Sequence, residues 1–241
     1  AKVGAVMPRQ APSAEFLLGT DGQGRAMVPA LLAALPQTLK IGLLAGLISL
    51  CIGTALGLIS GFVGGFVDAV IRTASDVMMT IPGMAIMVLV AANVRIMTVE
   101  LMALIVAALS WMIATRTIRA QTLSLRERGY VQIARLNGQS GLNLVFVEVL
   151  PNLLPFIAAS FVMTVSQAML ATIGLEALGL GPQNELTLGT TIYWAQFFSA
   201  VVRGMWWWWL PPIVLISTIF IGLMLTTIGL DATVNKRLGT A

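Results

Sequence analysis

A nearly uninterrupted apolar stretch decides the fold: it runs from Leu39 to Val63 and reads LKIGLLAGLISLCIGTALGLISGFV. A helix needs about 20 mostly apolar residues to cross a bilayer, so this stretch is long enough to span one. Small residues four positions apart share one stripe of a helix and let a second helix approach closely. The pattern predicts a spanning helix packed in a helix bundle; glycines scattered as in any membrane helix are the alternative. The glycines concerned are Gly42, Gly46, Gly53, Gly57 and Gly61.

The composition of the whole chain agrees with this stretch. Apolar residues make up 58% of the 241 residues and charged residues 10%, and the mean hydropathy is +0.92. Soluble domains are typically about 45–50% apolar and about 25% charged, so a soluble globular enzyme is excluded. Disorder is excluded as well, because it requires low hydrophobicity and high charge.

The residue inventory removes several kinds of chemistry. The chain contains no histidine, which excludes Ser-His-Asp catalysis and imidazole ligation of a metal. Its single cysteine, Cys51, can form neither an internal disulfide nor a thiolate cluster. We therefore expect no metal site. The net charge of +4 lies in loops between apolar runs, which favours a positive-inside bias over a nucleic-acid partner.

Four further apolar runs follow the first, and together they predict an all-α, polytopic membrane helix bundle with five spans in residues 37–230. Gly64–Gly65 predicts a turn after the first span, and Pro82–Gly83 predicts a break inside the second. Trp206–Trp209 opens the last run, which is typical of an interfacial anchor; an aromatic ligand box is the alternative. The four runs are Phe66–Val94, Val99–Thr115, Leu150–Gly174 and Trp206–Leu230.

The arginines predict the orientation. Loop 116–149 carries Arg116, Arg119, Arg126, Arg128 and Arg135, and the tail 231–241 carries Lys236 and Arg237. Both segments are predicted to be cytoplasmic by the positive-inside rule. Counting spans then places loop 175–203 and the N-terminal segment 1–36 outside. An outside N-terminus without a signal-peptide pattern predicts one more span upstream of Ala1, which makes six in the complete protein.

Polar residues inside the spans are candidates for a translocation pathway. Asp68, Arg72 and Asp76 are spaced to share one helix face, and Asp76 is the deepest of them. Asp76 is either a functional intramembrane acid or a juxtamembrane acid paired with Arg72. In the fourth run, Ser166 and Gln167 either line the pathway together with Asp76 or form hydrogen bonds between helices, and the same alternatives hold for Thr164 and Thr172.

The predicted cytoplasmic loop contains a short two-faced helix. Read as a helix, it has a polar face and a less polar neighbouring face, and Gly138 is placed to end it. Such a helix either presses into a groove of a partner or is a solvated connector. The polar face carries Arg128, Gln132, Arg135 and Gln139, and the other carries Tyr130, Ile133, Ala134 and Asn137.

This loop resembles the EAA loop of ABC importer permeases of the binding-protein-dependent class: Gln132-Ile133-Ala134, Gly138 and Leu150-Pro151 occupy the places of that motif. Over residues 16–240 the chain is similar, in colinear order, to the second permease of the pair in the dipeptide/oligopeptide/nickel subfamily. It departs from the family at Gln132, where the family has glutamate, at Ile133, where it has alanine, and at Ala26 and Pro29–Ala30. The colinear segments are LGTDGQGR (18–25), GFVGGFVD (61–68), LGLG (178–181) and the tail from Gly229 to Leu238.

The resemblance implies a permease of a bacterial or archaeal plasma membrane that forms half of a pore with a second, homologous permease. It implies that two ATPase subunits carry the ATP and Mg, whereas this chain binds no cofactor, and that an extracytoplasmic binding protein delivers the substrate. Peptides are the expected substrates; nickel complexes or oligosaccharides are the alternatives. The residues expected to couple to the ATPase are Arg128, Tyr130, Gln132, Ala134, Arg135 and Gly138.

Other kinds of membrane protein fit the sequence less well. A secondary transporter is expected to show inverted repeats and coupling ions at the midplane, and no internal repeat is evident. An intramembrane enzyme would need paired acids or histidine inside the spans. The sequence shows no Gly-x-x-x-x-Gly-Lys-Ser/Thr phosphate loop, so we expect the chain itself not to be an enzyme. A structural membrane subunit remains as a further alternative.

Overall fold

The computed structural model describes residues 2–238, with side chains up to residue 230. Over these residues the chain is helical, and the only β pairing is an isolated bridge between Thr20 and Ala26. The helices are α1 (Met27–Val63), α2 (Gly65–Thr80), α3 (Gly83–Ala92), α4 (Val99–Ala108), α5 (Trp111–Arg126), α6 (Gly129–Leu136), α7 (Gly141–Asn143), α8 (Leu150–Ala177), α9 (Leu188–Phe197) and α10 (Trp206–Leu238), with a π-helical segment, Leu144–Val149, between α7 and α8.

The helices supply up to five membrane spans among the described residues, as predicted. Three are long and apolar enough individually: Met27–Val63, Gly141–Ala177 and Trp206–Leu230. The pairs α2 with α3 and α4 with α5 qualify when each bent pair is taken as one span. The predicted cytoplasmic tail, with Lys236 and Arg237, lies outside the described side chains, and residues 239–241 lie outside the described range.

The predicted turn and the predicted break are both confirmed. Gly64 has φ +72° and separates α1 from α2, a conformation that glycine adopts without steric cost. The second run breaks at Ile81–Pro82, and its two helices are inclined by 75°. Proline removes a backbone donor and its ring clashes with the preceding turn, which ends α2 at this point.

Two helices begin earlier than predicted. α1 begins at Met27, inside the segment expected to be external. Pro29 is tolerated in its first turn because the N–H groups there have no helical acceptor, so proline loses no hydrogen bond. The fourth run is helical from Gly141, and the change at Leu150 is a change of helix type. Leu150 N–H donates to the Val145 carbonyl, five residues back. Such a widened turn is a recognised accommodation in a helix interrupted by prolines such as Pro151.

The third run contains a break that the sequence analysis did not predict. α4 and α5 are separated at Leu109–Ser110 and inclined by 48°. Ser110 N–H donates to the Ala107 carbonyl at 3.2 Å, three residues back, so a tight turn replaces the regular helical bond. The sequence there contains no proline or glycine to signal the turn.

The residues form two compact units, which are described separately. Among the described residues, unit 1 comprises 2–45, 84–106 and 166–223, and unit 2 comprises 46–83, 107–165 and 224–238. Trp208 is fully buried in the core of unit 1 with Met27, Leu31 and Leu188. Of the four tryptophans predicted to form an interfacial anchor, Trp208 is therefore a core residue, whereas Trp206 is 47% exposed.

In unit 1, the N-terminus of α9 is held by three different segments. Thr187 forms a capping box with Thr190, and Leu188 N–H donates to Thr38 Oγ1 of α1 at 2.9 Å. The fully buried Glu176 of α8 lies against Gly189, where there is no room for a Cβ atom. Orphan N–H groups at a helix start are thus satisfied by side chains, which fixes the segment that leads into α9.

In unit 2, the glycine stripe of α1 packs closely on neighbouring helices, as predicted, and most of it faces α5. A Cβ atom on Gly57 would lie 2.8 Å from Ile118 Cβ, and one on Gly61 would lie 2.7 Å from Thr122 Cβ. Gly53 faces Ala114 in the same way, and Gly46 faces Val165 of α8. Glycine is required here because the helix backbones approach closely.

Replacing Gly57 with alanine is expected to destabilise unit 2. Overpacking a tight contact costs about 1–3 kcal/mol, which exceeds the gain of about 1 kcal/mol from better helix propensity, because the added methyl would also meet the Thr115 carbonyl oxygen at 2.9 Å. A fluorescence-monitored thermal melt in detergent should show a midpoint lowered by several degrees. Gly222→Ala is the matched control, because its Cβ would meet nothing within 4 Å; equal midpoints for the two variants would contradict the packing argument.

Candidate functional site

The predicted loop helix exists as α6, Gly129–Leu136. α5 ends at Arg126, and Glu127 and Arg128 form a short non-helical link before α6 begins. Residues 126–141 are therefore a short helix with a connection at each end. The stiffness of this segment has to come from tertiary contacts, because a helix of this length is not stable by itself.

Gly138 ends α6, as predicted. Its φ is +83°, its N–H donates to the Arg135 carbonyl at 3.1 Å, and the N–H of Gln139 donates to the Ala134 carbonyl at 3.2 Å. This pair of bonds is the Schellman motif, which glycine favours because it adopts left-handed dihedrals. A Cβ on Gly138 would meet nothing within 4 Å, so the requirement for glycine is conformational.

One face of α6 attaches it to unit 2. Val131 is fully buried and Ala134 is 7% exposed, and both pack with Leu144 and Val149 of the π-helical segment. Ala134, which we expected to couple to the ATPase, therefore lies on the face that attaches α6 to unit 2. Gln132 is half-buried, and its Nε2 donates to the Arg126 carbonyl at 3.3 Å. Further apolar residues cover this cluster: Leu58, Phe62 and Leu125.

The opposite face of α6 presents apolar side chains to the surroundings. Leu136 is 86% exposed and Ile133 is 61% exposed, and Tyr130, Arg128 and Arg135 are exposed beside them. Partial burial raises the pKa of the Tyr130 hydroxyl. We call this the α6 docking face. Exposed apolar residues next to charges are typical of a protein–protein contact.

Arg126 ties the loop to the end of α1. Its Nη1 donates to the carbonyls of Gly61 at 3.2 Å and Phe62 at 3.3 Å. The last carbonyls of a helix have no helical partner and carry partial negative charge, so a guanidinium is favourable there. The sequence did not indicate this role, because the contact joins residues 65 positions apart.

A bidentate ion pair joins α2 to α5. Arg119 Nε donates to Asp68 Oδ1 at 2.5 Å and its Nη2 donates to Oδ2 at 2.7 Å, while Ser60 Oγ donates to Oδ1 at 2.5 Å. The two side chains are 21% and 17% exposed. Planar, two-point pairing of this kind is the strong form of a charge-assisted hydrogen bond.

A pairing of Asp76 with Arg72, one of the two alternatives for this acid, is not found among the described ion pairs. Both residues instead line a cavity of about 150 Å³, together with Thr115, Arg116 and Arg119. The cavity therefore holds more cations than acids. Whether Asp76 lines a pathway stays a prediction.

The other pathway candidates lie on α8. Thr164 Oγ1 donates to the Ser160 carbonyl and Thr172 Oγ1 to the Ala168 carbonyl, each at 2.7 Å, so both hydroxyls are satisfied inside their own helix. Gln167 is exposed and Ser166 is half-buried. Ser166 and Gln167 belong to unit 1 and Asp76 to unit 2, and a common pathway stays a prediction.

Residues 53–240 match the family described as the binding-protein-dependent transport system inner membrane component. The chain belongs to this family. The match includes α6 and both of its connections, and it confirms the resemblance inferred from the loop. It also agrees with a helical, multi-pass protein of the plasma membrane.

Individual relatives in this family are oligopeptide transport system permease proteins named OppC. The protein from Mycobacterium tuberculosis is 29% identical over 185 residues, which cover 76% of this chain and 64% of the relative. The protein from Lactococcus lactis subsp. cremoris is 29% identical over 177 residues, covering 73% and 60%. The chain thus spans about three fifths of the length of these relatives. They are named as permease components of a transport system and not as enzymes.

Replacing Asp68 with asparagine is expected to lower stability. The change removes the negative charge to which Arg119 donates two hydrogen bonds, which for a largely buried pair costs about 1.5–3 kcal/mol. The thermal midpoint of purified protein should fall by several degrees. Glu15→Gln is the control, because Glu15 is exposed and takes part in no described ion pair; an equal or larger effect from the control would argue against the Asp68 pair.

Proposed function

We propose that this chain is a permease subunit of an ATP-driven, binding-protein-dependent importer and that it forms half of the translocation pore. The α6 docking face carries the proposal: an exposed apolar surface at the end of spanning helices, on the side predicted to be cytoplasmic. Two ATPase subunits with bound ATP and Mg, a second homologous permease and an extracytoplasmic binding protein are the partners that this role requires.

The contacts around α6 support a coupling role. Val131 and Ala134 bind α6 to the π-helical segment, Arg126 binds the loop to the end of α1, and the Asp68–Arg119 pair binds α5 to α2. A displacement of α6 by closing ATPase subunits would therefore be transmitted to several helices of unit 2 at once. Packed side chains and ion pairs carry such coupling when they form a contiguous network.

Peptides are the substrates we propose, because the relatives OppC of Mycobacterium tuberculosis and Lactococcus lactis are named as oligopeptide permeases. Nickel complexes or oligosaccharides, handled by the same architecture, are the alternative. In either case the chain supplies no catalytic residue, and ATP hydrolysis belongs to the partner subunits.

Leu136→Glu is expected to release the ATPase subunits. The side chain is 86% exposed, so a charge there leaves the fold intact but places an unpaired carboxylate in the proposed contact. Purification of the complex through this chain should recover less ATPase than the unmodified chain does. Leu17→Glu is the matched control, because Leu17 is 73% exposed in the predicted outer segment. Full ATPase recovery with Leu136→Glu would contradict the docking face.

Gly138→Asp is expected to abolish transport in an assembled complex. The aspartate side chain would have space. However, the positive φ of residue 138 is unfavourable for a residue other than glycine, so the substitution alters the end of α6. Substrate uptake and ATPase activity should be measured in proteoliposomes with and without binding protein. Gly129→Asp is the control, because it adds the same side chain at the start of α6, where a negative charge is favourable. ATPase activity that still responds to binding protein in the Gly138 variant would refute coupling through this helix end.

A further inference from the structure

Unit 1 contains a polar cavity of about 300 Å³ to which nothing above assigns a role. It lies in the part of the chain predicted to be outside the membrane, between the N-terminal arm, the first turns of α1 and the segment that leads into α9. Its volume is at the lower end of the range for small-molecule sites, about 300–1,000 Å³. The polar and aromatic residues that line it include Arg25, Gln37, Gln183, Asn184, Glu185 and Trp194.

Arg25 is the unusual member of the lining. The residue is 9% exposed, and its Nε lies 3.6 Å from Asp21 Oδ2, too far for a good hydrogen bond. The other carboxylate oxygen of Asp21 already accepts the backbone N–H groups of Gln23 and Arg25, each at 2.8 Å. Among the described residues, the buried Nε therefore has no acceptor.

A guanidinium has five N–H donors in a planar fork that matches a carboxylate. Burial raises the pKa of Asp21 and lowers that of Arg25, which means that both charges lack solvation in this environment. The Nε atom is enclosed beside Asp21, so a ligand carboxylate entering the cavity would meet the terminal Nη groups, which have no acceptor among the described residues. The buried cation is thus an incomplete site for an anionic group.

The rest of the lining suits the groups next to a peptide carboxylate. Gln183 Nε2 donates to the carbonyls of Gly179 and Gly181 at 3.2 and 3.1 Å, so its amide is fixed and its Oε1 remains an acceptor. Gln37 is half-buried, and its amide can pair with peptide N–H and C=O groups. Asn184 also lines the cavity and is exposed. The indole of Trp194 supplies an apolar wall.

Charges near the cavity favour a zwitterion over a simple anion. Glu185 lines the cavity and is half-buried, which brings a negative charge that repels a second anionic group. The nearby Lys40 is paired with Glu100. A short peptide, with a carboxylate at one end and an ammonium at the other, matches this distribution.

We propose that this cavity binds the C-terminal end of a short peptide, with Arg25 receiving the carboxylate and the amides of Gln37 and Gln183 receiving the adjacent peptide group. The proposal rests on the proposed function and specifies where a released peptide first contacts this subunit. Glu185 receives the ammonium of a peptide short enough to lie wholly in the cavity.

Protection of an introduced cysteine tests the site. The complete complex, with Cys51→Ala and Asn184→Cys in this chain, is placed in nanodiscs. The rate at which a membrane-impermeant maleimide labels the cysteine at position 184 is measured in the presence of trialanine or of trialanine amide. Gln196→Cys is the matched control, because Gln196 is an exposed amide of α9 outside the cavity lining. Trialanine at twice its Kd should slow labelling of residue 184 about threefold, because mass action leaves about a third of the sites empty.

Trialanine amide should protect residue 184 from labelling much less than trialanine does, and neither peptide should protect residue 196. Arg25→Gln should remove the difference between the two peptides; if that variant fails to assemble, the comparison of acid with amide in the unmodified background still decides. Equal protection by both peptides, or none, would overturn the proposal. If binding protein alone, without peptide, protected residue 184 from labelling, the proposal would also be overturned. The partner of Arg25 would then be an acidic side chain of that protein.

Uptake of trialanine by the complete complex in the presence of binding protein is measured in parallel. Uptake without protection of residue 184 would overturn the cavity proposal alone. No peptide uptake by an assembled, ATP-hydrolysing complex would overturn the proposed peptide function, whatever the labelling result.

Discussion

The structure of unit 2 depends on the close approach of α5 to the second half of α1. Gly53, Gly57 and Gly61 leave no room for side chains, so the two backbones are nearly in contact. In a lipid environment there is little hydrophobic gain from burying one apolar helix against another, and close packing of small residues takes its place. This approach sets the position of Arg126, at the end of α5, beside the final carbonyls of α1.

The loop helix follows from that arrangement. α6 is too short to be stable alone, and it is held by a small apolar cluster that includes Val131 and Ala134. Its remaining surface is left uncovered, with Ile133 and Leu136 exposed. A surface that is both anchored and uncovered is suited to receive force from a partner and pass it to the spans, which is the mechanical requirement of a coupling element.

The breaks in the helices show where sequence reasoning succeeds. The break at Pro82 was predicted because proline removes a donor and clashes with the preceding turn. The break at Ser110 was not predicted, because serine is compatible with a helix and only the surrounding packing selects the tight turn. Trp208 illustrates the same limit: a tryptophan at the start of a span is typical of an interfacial anchor, yet here it is buried in the core of unit 1.

Local patterns in the sequence determined the spans, the glycine stripe of α1, the end of α6 at Gly138 and membership of the permease family. Each depends on residues close together in the chain, whose spacing fixes hydrophobic periodicity or backbone conformation. The tertiary structure alone decided that Arg119 pairs with Asp68, that Ala134 faces inward and that Arg25 is buried beside a polar cavity. Those features join residues far apart in the chain or depend on which side of a helix is covered, and spacing along the chain carries no information about either.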